Sequence, residues 1–427
     1  VVCGFRNKLN YPDMHLFSAD EIESSGERSL PGEGRALISE CYQRSVALLK
    51  ENAGPYGIVA SSECEKAVCR NYTSVFARDA GMAALGMTAS GDPELIAAVR
   101  AGLLTLVRHQ GLNGQIPNFV KPDLGEVDFW YLGCVDATLW WLIAVAFYRH
   151  SAPCGVISDE FQPGVEKALR WLMSQEHQGL FLLQQNEASD WADVMPRSGF
   201  VLYSNALWYL VKSLYRPDSA AGTKANFNEI FFPFGDVLPD ERRAQVLTRH
   251  ARNDARRRDL YLSFLSLSGW GDEGDVFGNI LALLCGLPDA SERQRMADIL
   301  IRENVSEPFP VRVVLDPLDE SNSWWRPYML RHNQNLPHQY HNGGIWPFVG
   351  GFWVILLGGL GKKELAAEEL FRLAVLNRVN DWQFNEWFHG KTGEAMGMPG
   401  QSWNAAMFIL AFHMLQSDAD FFPFPGL

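Results

Sequence analysis

Five stretches of this chain gather carboxylates, amides and tryptophans: YTSVFARDAG (72–81), GCVDATLWW (133–141), EASDWADVMPRSG (187–199), LPHQYHNGGIWPF (336–348) and NEWFHGKTGEAMGMPGQSW (385–403). Side chains of these types suit a sugar. Vicinal hydroxyls call for bidentate acceptors, pyranose faces lie well on flat aromatic rings, and cleaving an acetal takes two carboxyl groups. Asp79 and Asp136 read as hydroxyl acceptors, with Arg78 holding a neighbouring carboxylate. Gln115 and Asn118, in NGQIPNF, are further candidates to reach the sugar. A general acid must keep its proton near neutral pH, which requires burial or a second carboxylate close by. SDWADVMPR offers Asp190 and Asp193 for that task, with Trp191, Met195 and Pro196 as an apolar wall. The bland alternative for Asp193, a cap on a helix over 200–214, puts it too far upstream. In the last segment the carboxylates are Glu386 and Glu394, the latter in a turn (KTGE) that reads as exposed.

His332, His338 and His341 invite a metal reading, but their spacing is not HExxH and no acidic ligand interleaves. No metal and no cofactor are therefore expected. The formal net charge of −13 would repel phosphate backbones and anionic lipid, which argues against nucleic-acid and membrane partners. A neutral small-molecule carbohydrate is indifferent to that field, and a homo-oligomer is compatible with it. Seven cysteines (3, 41, 64, 69, 134, 154, 285) are scattered without zinc-knuckle spacing and read as reduced thiols. No uninterrupted apolar run reaches the length of a membrane span, and VVCGFRNKLN lacks a signal-peptide core. The expectation is a cytoplasmic protein, with the missing initial Met leaving room for a trimmed leader.

The elements that must position these loops are helices. Apolar residues recur at helical spacing over 34–51, 79–88, 135–149, 163–176, 200–214, 239–257, 275–286, 288–303, 343–359, 362–377 and 401–416. Asp92-Pro93 adds a capped start for a helix through Val107. Only scraps such as 181–183 and 311–315 read as strand. Hydrophobic residues make up 47% of 427, enough for one large core without a linker. About a dozen helices in one continuous unit predict an all-α ring of hairpins, six inner and six outer, an (α/α)6 toroid. Runs such as VDATLWWLIAVAFYR are apolar nearly all round, as buried inner helices would be. An open solenoid is the second choice, but its repeats would be more uniform. Residues 1–33 are expected to pack on this ring as an extension, with 34–427 forming a single catalytic domain.

The motifs also carry a family resemblance. FARD resembles the aromatic-x-Arg-Asp segment of neutral/alkaline invertases (glycoside hydrolase family 100), and VDATLWW resembles their Val-Asp-Ser-Gly-Leu-Trp-Trp helix start. YHNGGIWP is similar to their Tyr-His-Asn-Gly-Gly-Ser-Trp-Pro loop, and DVFGNILA to their Arg-Gly-Asn-Leu-Trp-Ala helix. The matches keep the family's order over residues 72–403. Trehalases, processing α-glucosidases with mannosylglycerate hydrolases, and debranching-type toroids are similar at a greater distance.

The resemblance implies a six-hairpin toroid and an inverting hydrolase that holds an α-glucosyl unit in its −1 subsite. It selects Asp193 as acid, because in the related families the acid lies four residues before an Arg, here Arg197. It selects Glu386 as base, matching the Glu of a Pro-Glu-Tyr-Tyr-Asp run. The implied sugar contacts are Tyr72, Phe76, Arg78, Asp79, Gln115, Asp136, Trp140, Trp191, Arg197, Tyr340, His341, Asn342, Gly343, Trp346, Trp387, Gln401 and Trp403. WADVMPRSG departs from the invertases' Ile-Asp-Arg-Arg-Met-Gly, and GEAMGMPGQSW is closer to the debranching-type and processing families. An α-glucoside or α-mannoside of glycerate or of another sugar therefore stands beside sucrose as substrate. Asp193, beside Trp191 and Pro196, is expected to be buried and protonated; Glu386, in a polar run, is expected to stay ionised. Two other classes compete: a six-hairpin sugar epimerase or isomerase using His338 and His341, and an inactive carbohydrate-binding protein.

Overall fold

The structure, a computed structural model, describes residues 32–129, 134–151, 159–235 and 242–416. Most of the extension expected at 1–33 lies outside them. Fourteen α-helices occur among the described residues. In chain order they are α1 (Gly32–Asn52), α2 (Glu65–Cys69), α3 (Ala77–Ala89), α4 (Pro93–Arg108), α5 (Val135–Ser151), α6 (Gln162–Gln175) and α7 (Leu202–Tyr215). There follow α8 (Pro217–Phe231), α9 (Arg242–Asp254), α10 (Val276–Leu284), α11 (Ala290–Arg302), α12 (Pro347–Gly359), α13 (Lys363–Trp382) and α14 (Ser402–Gln416).

Six of them close a ring. Helix α3 packs on α5, α5 on α7, α7 on α10, α10 on α12, α12 on α14, and α14 returns to α3. Outside it lie α1, α4, α6, α8, α11 and α13, so the chain alternates outer and inner helix around the circle. This is the (α/α)6 toroid. Composition explains which helices go inside: Pro347 to Leu357 of α12 are all buried, as are Val276 to Leu284 of α10. A helix apolar on every side has nowhere to put a wet face. Outer helices such as α6 and α11 instead bury one stripe.

Local signals explain the ends. Asp92 caps α4 by accepting from the backbone N–H of Glu94 and Leu95, with Pro93 in the first turn, as the sequence predicts. Helix α8 is absent from the sequence reading. Pro217-Asp218 resembles a turn, but Pro is a good first helical residue, and Asp218 suits the positive helix start. It supplies the fourth outer position, whereas α9, within the helical stretch expected at 239–257, packs against a small sheet. Helix α13 breaks at Val379–Asp381, where Asn380 and Asp381 have φ of 55° and 59°. Short antiparallel ribbons fill the gaps. The largest joins Gln184–Gln185, Gly199–Val201, Phe264–Ser266 and Gly269–Gly271, and another joins Val75–Phe76, Phe119–Lys121 and Glu126–Asp128. Among the described residues no helix is long and apolar enough to cross a membrane.

The ring is tightest where it closes. A Cβ on Gly86 of α3 would sit 1.9 Å from the carbonyl oxygen of Ala406 in α14. Backbone cannot yield as a side-chain tip can, so Gly86→Ala should lower stability by about 3 kcal/mol despite Ala's better helix propensity. Gly91→Ala meets nothing within 4 Å and has only its φ of +70° against it. It should cost about 1 kcal/mol. Thermal and denaturant unfolding of the two variants measures the contrast.

Candidate active site

Because inner helices alternate with outer ones, all six run the same way and open at one end of the ring. The five loop segments enter there, immediately before α3, α5, α7, α12 and α14 or across their first turns. Contacts between segments tie them into one site.

Glu386 is 5% exposed and doubly held. The Tyr72 hydroxyl donates to its Oε1 at 2.6 Å, and the Met398 N–H donates to Oε2 at 3.0 Å. Burial pushes its pKa up to about 7; Tyr72 and Met398 pull the other way and Asp79 adds to the rise. Asp193 lies on the facing loop with its side chain 37% exposed and Oδ1 3.8 Å from His341 Nδ1. Both carboxylates raise the pKa of the Tyr72 and Tyr340 phenols, which burial already holds well above the ordinary value. The His341 ring packs on Tyr340, which meets Trp387 beside Glu386, so the loops that carry the two carboxylates are joined. Burial, then Arg197 and Arg78, keep His341 well below its usual pKa, so it is neutral at pH 7 and its approach to Asp193 is not an ion pair.

Here the structure reverses an expectation. Asp193 is the more open of the two carboxylates, and Glu386 is the buried one with the raised pKa. The apolar wall exists but faces inward: Trp191 meets Tyr203, Phe277, His341, Trp346 and Phe348 edge-on or tilted. Asp193 does not cap α7, whose N-cap is Val201.

The floor of the site is an Arg78–Asp79–Asp136 group at the starts of α3 and α5. Arg78 lies 3.6 Å from both carboxylates. Burial alone would lower the guanidinium pKa, but Asp136 and Asp79 more than offset it. Asp136 is fully buried, and burial pushes its pKa up to about 6. It accepts from Tyr203 at 3.2 Å, and Tyr203 in turn accepts from Trp140 Nε1 at 2.7 Å. Around this floor, Asp79 Oδ2, Asp136 Oδ1, Trp191 Nε1, Trp403 Nε1 and both side-chain polar atoms of Gln401 are buried with no hydrogen-bond partner in the protein. Buried polar atoms are normally paired.

Several residues expected to touch sugar are engaged otherwise. Trp140 and Trp346 are fully buried, and the Trp346 ring stacks on His341 while its Nε1 donates to the Tyr340 carbonyl. The Asn342 side chain latches the 318 loop, accepting from Leu318 N and donating to Leu318 O and Asn335 O. Arg197 is 4% exposed and bridges Asp190 at 2.7 Å and Asp275 at 2.8 Å. Asp190, the substitute acid, is 3% exposed and also accepts from Gln185 and the Ala192 N–H. Asn118 donates to Asp128. Gln115 lies near the Cys134 thiol, 4.0 Å away, at the foot of α5. Phe76 packs on Tyr72 and Phe119, and Trp387 meets the Tyr340 ring edge-on. Gly343 has φ of +95°, a turn that side chains rarely adopt. Tyr203 and Asp275 were missed. Asp275 caps α10 through Gly278 N, and its position before an apolar run was a readable cap signal. Tyr203 gave none. Among the described residues no group of three His, Cys, Asp or Glu could hold a metal ion.

Comparison with known proteins finds similar sequences and similar folds. A family model described as alkaline and neutral invertase matches residues 275–418. The mitochondrial alkaline/neutral invertase C of Arabidopsis thaliana is 20% identical over 85% of this chain, which spans 64% of that protein's length. The chloroplastic neutral/alkaline invertase 3 of Oryza sativa subsp. japonica is also 20% identical, over 92% of this chain and 76% of its own. Among solved structures, the GH63 mannosylglycerate hydrolase of Thermus thermophilus superposes with a TM-score of 0.62 at 16% identity, covering 87% of this chain and 99% of that one. A GH78 family rhamnosidase of a Bacillus species gives 0.58 at 15% identity over 90% of this chain and 35% of its own. The solved structures share the fold. In sequence the chain is similar to alkaline and neutral invertases, most clearly over residues 275–418.

The Arg197 bridge makes a stability prediction. Arg197→Met leaves Asp190 and Asp275 buried without their counter-charge, which should cost about 3–5 kcal/mol at pH 7. Burial already raises the Asp275 pKa, and losing the cation raises it further. Protonation then relieves the penalty, so the loss should shrink as pH falls toward about 4.5. Urea unfolding of both proteins at the two pH values reads this out.

Proposed function

We propose that this chain hydrolyses a small α-glycoside with an α-glucosyl unit in the −1 subsite, by a single displacement that inverts the anomeric carbon. In this reading Asp193 protonates the leaving oxygen while Glu386 takes a proton from the attacking water. The observation that carries it is the chain of contacts joining the two carboxylate loops: Asp193 lies 3.8 Å from His341, the His341 ring packs on Tyr340, and Tyr340 meets Trp387 beside Glu386. Inversion needs a water between sugar and base, so the carboxyls of such enzymes stand about 6.5–9.5 Å apart.

Each role fits its surroundings. A base works best with a pKa near the working pH, and Glu386 stands at about 7. Asp193 is half open without a ligand, but a sugar lying over it would exclude water and favour its protonated form. Asp79 and Trp403, which keep a little exposure, are assigned to the sugar hydroxyls. Sucrose is the first substrate to test, given the invertase relatives, and glucosylglycerate or mannosylglycerate the next, given the Thermus hydrolase. The described cysteines are free thiols, which suits a reducing compartment. We place the enzyme in the cytoplasm, although the plant relatives are mitochondrial and chloroplastic.

The pH profile separates the two carboxylate roles. If Glu386 is the base, kcat/KM falls as pH drops below about 7, because protonation removes the base. Were Glu386 the acid, activity would instead fall as pH rises through the same point. Asp193→Asn and Glu386→Gln should each slow hydrolysis by about 10²–10⁴-fold. A leaving group that needs no proton should partly restore the first variant and not the second. NMR of the earliest product from an α-glycoside should show the β-anomer; the α-anomer first would mean retention and remove Glu386 from its role. Release of glucose from a panel of sucrose, trehalose, isomaltose and glucosylglycerate names the substrate, and isomerised sugar without hydrolysis would overturn the proposal.

A further inference from the structure

The base loop is fixed by a part of the chain far away in sequence. Tyr72 and Glu386 are 314 residues apart, yet Tyr72 Oη lies 2.6 Å from Oε1. The turn that carries Tyr72 is itself anchored, with Tyr72 N–H donating to Ala67 O at 2.9 Å and Ser61 N–H to Tyr72 O at 3.2 Å. Next to it, Lys66 Nζ donates to Gly397 O at 2.9 Å, and Ser62 N–H to Gly400 O at 3.0 Å. Gly397 brings backbone against the carboxylate: a Cβ there would lie 2.6 Å from Glu386 Oε2, and its φ is +78°. The carboxylate is thus gripped on one oxygen by Tyr72 and on the other by the Met398 N–H.

We propose that Tyr72 is a positioning residue for Glu386, holding Oε1 so that the carboxylate keeps one orientation and presents its remaining lone pairs to the water it activates. This inference rests on the assignment of Glu386 as base and gives Tyr72 a different task from the sugar contact expected of it. The phenol stays a donor throughout the working range, because burial and then Glu386 keep it from ionising. A donated hydrogen bond favours the ionised carboxylate. The other charged and titratable groups that bear on this corner are Asp79 and Arg78 from α3, Lys66 from α2, Tyr340 from the loop before α12 and Asp193 from the facing loop. Tyr72→Phe leaves all of them in place and removes only the hydroxyl.

The test combines turnover with a titration that needs none. In Tyr72→Phe the acid limb of kcat/KM should move up by about one pH unit, and kcat at pH 7 should fall about tenfold with KM within about threefold. Carbon-13 NMR of labelled glutamate, with the Glu386 signal assigned by its loss in Glu386→Gln, should show the same upward shift of the midpoint in the free protein. An unmoved midpoint would overturn the inference, whatever happens to the melting temperature. A raised KM with an unmoved limb would also overturn it and make Tyr72 a sugar contact. Full activity in Glu386→Gln would sink the functional reading instead, while the NMR midpoint would still decide whether Tyr72 governs the carboxylate.

Discussion

The contact between α3 and α14 is the joint on which the molecule depends. It brings the first inner helix against the last, at a spacing that Gly86 and the Ala406 carbonyl permit and a single methyl group would not. Closing a ring through contacts this distant in sequence carries a chain-entropy cost, which the buried inner faces must offset. Six helices apolar on nearly every side supply that burial. Once closed, the ring puts the segment after α1 beside the segment before α14. Asn52 donates to Gly400 O and Ser402 Oγ, and Ser402 N–H to Ala60 O. The seam that completes the fold is therefore the seam that builds the Glu386 corner.

The loop that carries Asp193 is held by charge. Arg197 draws Asp190 and Asp275 together, and so pins both ends of the loop that carries Asp193 to the start of α10. A second clamp comes from the 318–339 region, where Asn335 donates to Val194 O and Tyr328 to Glu187. Asp193 sits between these clamps, 3.8 Å from His341 Nδ1. Glu386, by contrast, is held at the carboxylate itself. The inner helices add to both sides: their N-terminal ends all point into this end of the ring, and the partial positive charge there favours Asp79 and Asp136 in the first turns.

Much of this was legible because it is local. The apolar periodicity of α4, α6 and α12, the Asp92-Pro93 start, and the clustering of carboxylates with tryptophans in five loops are all written within a few residues of themselves. Alternating outer and inner helices, with loops on one side, then follow from composition alone. The sequence by itself thus determined the fold class and which loops carry the carboxylates and tryptophans. What only the tertiary structure decided is what surrounds each of them. Trp191 stands two residues from Asp193, yet its ring turns to Phe277, Trp346 and His341 and leaves the carboxylate half open. The polar run Asn385-Glu386 promised solvent, but Tyr72 and Met398, from other parts of the chain, enclose the carboxylate. Arg197, Asn342 and Trp346 carry the side chains of sugar contacts and are engaged as struts. The reason is physical: a protonation equilibrium or a free donor depends on neighbours within a few ångströms, and ring closure draws those neighbours from hundreds of residues away.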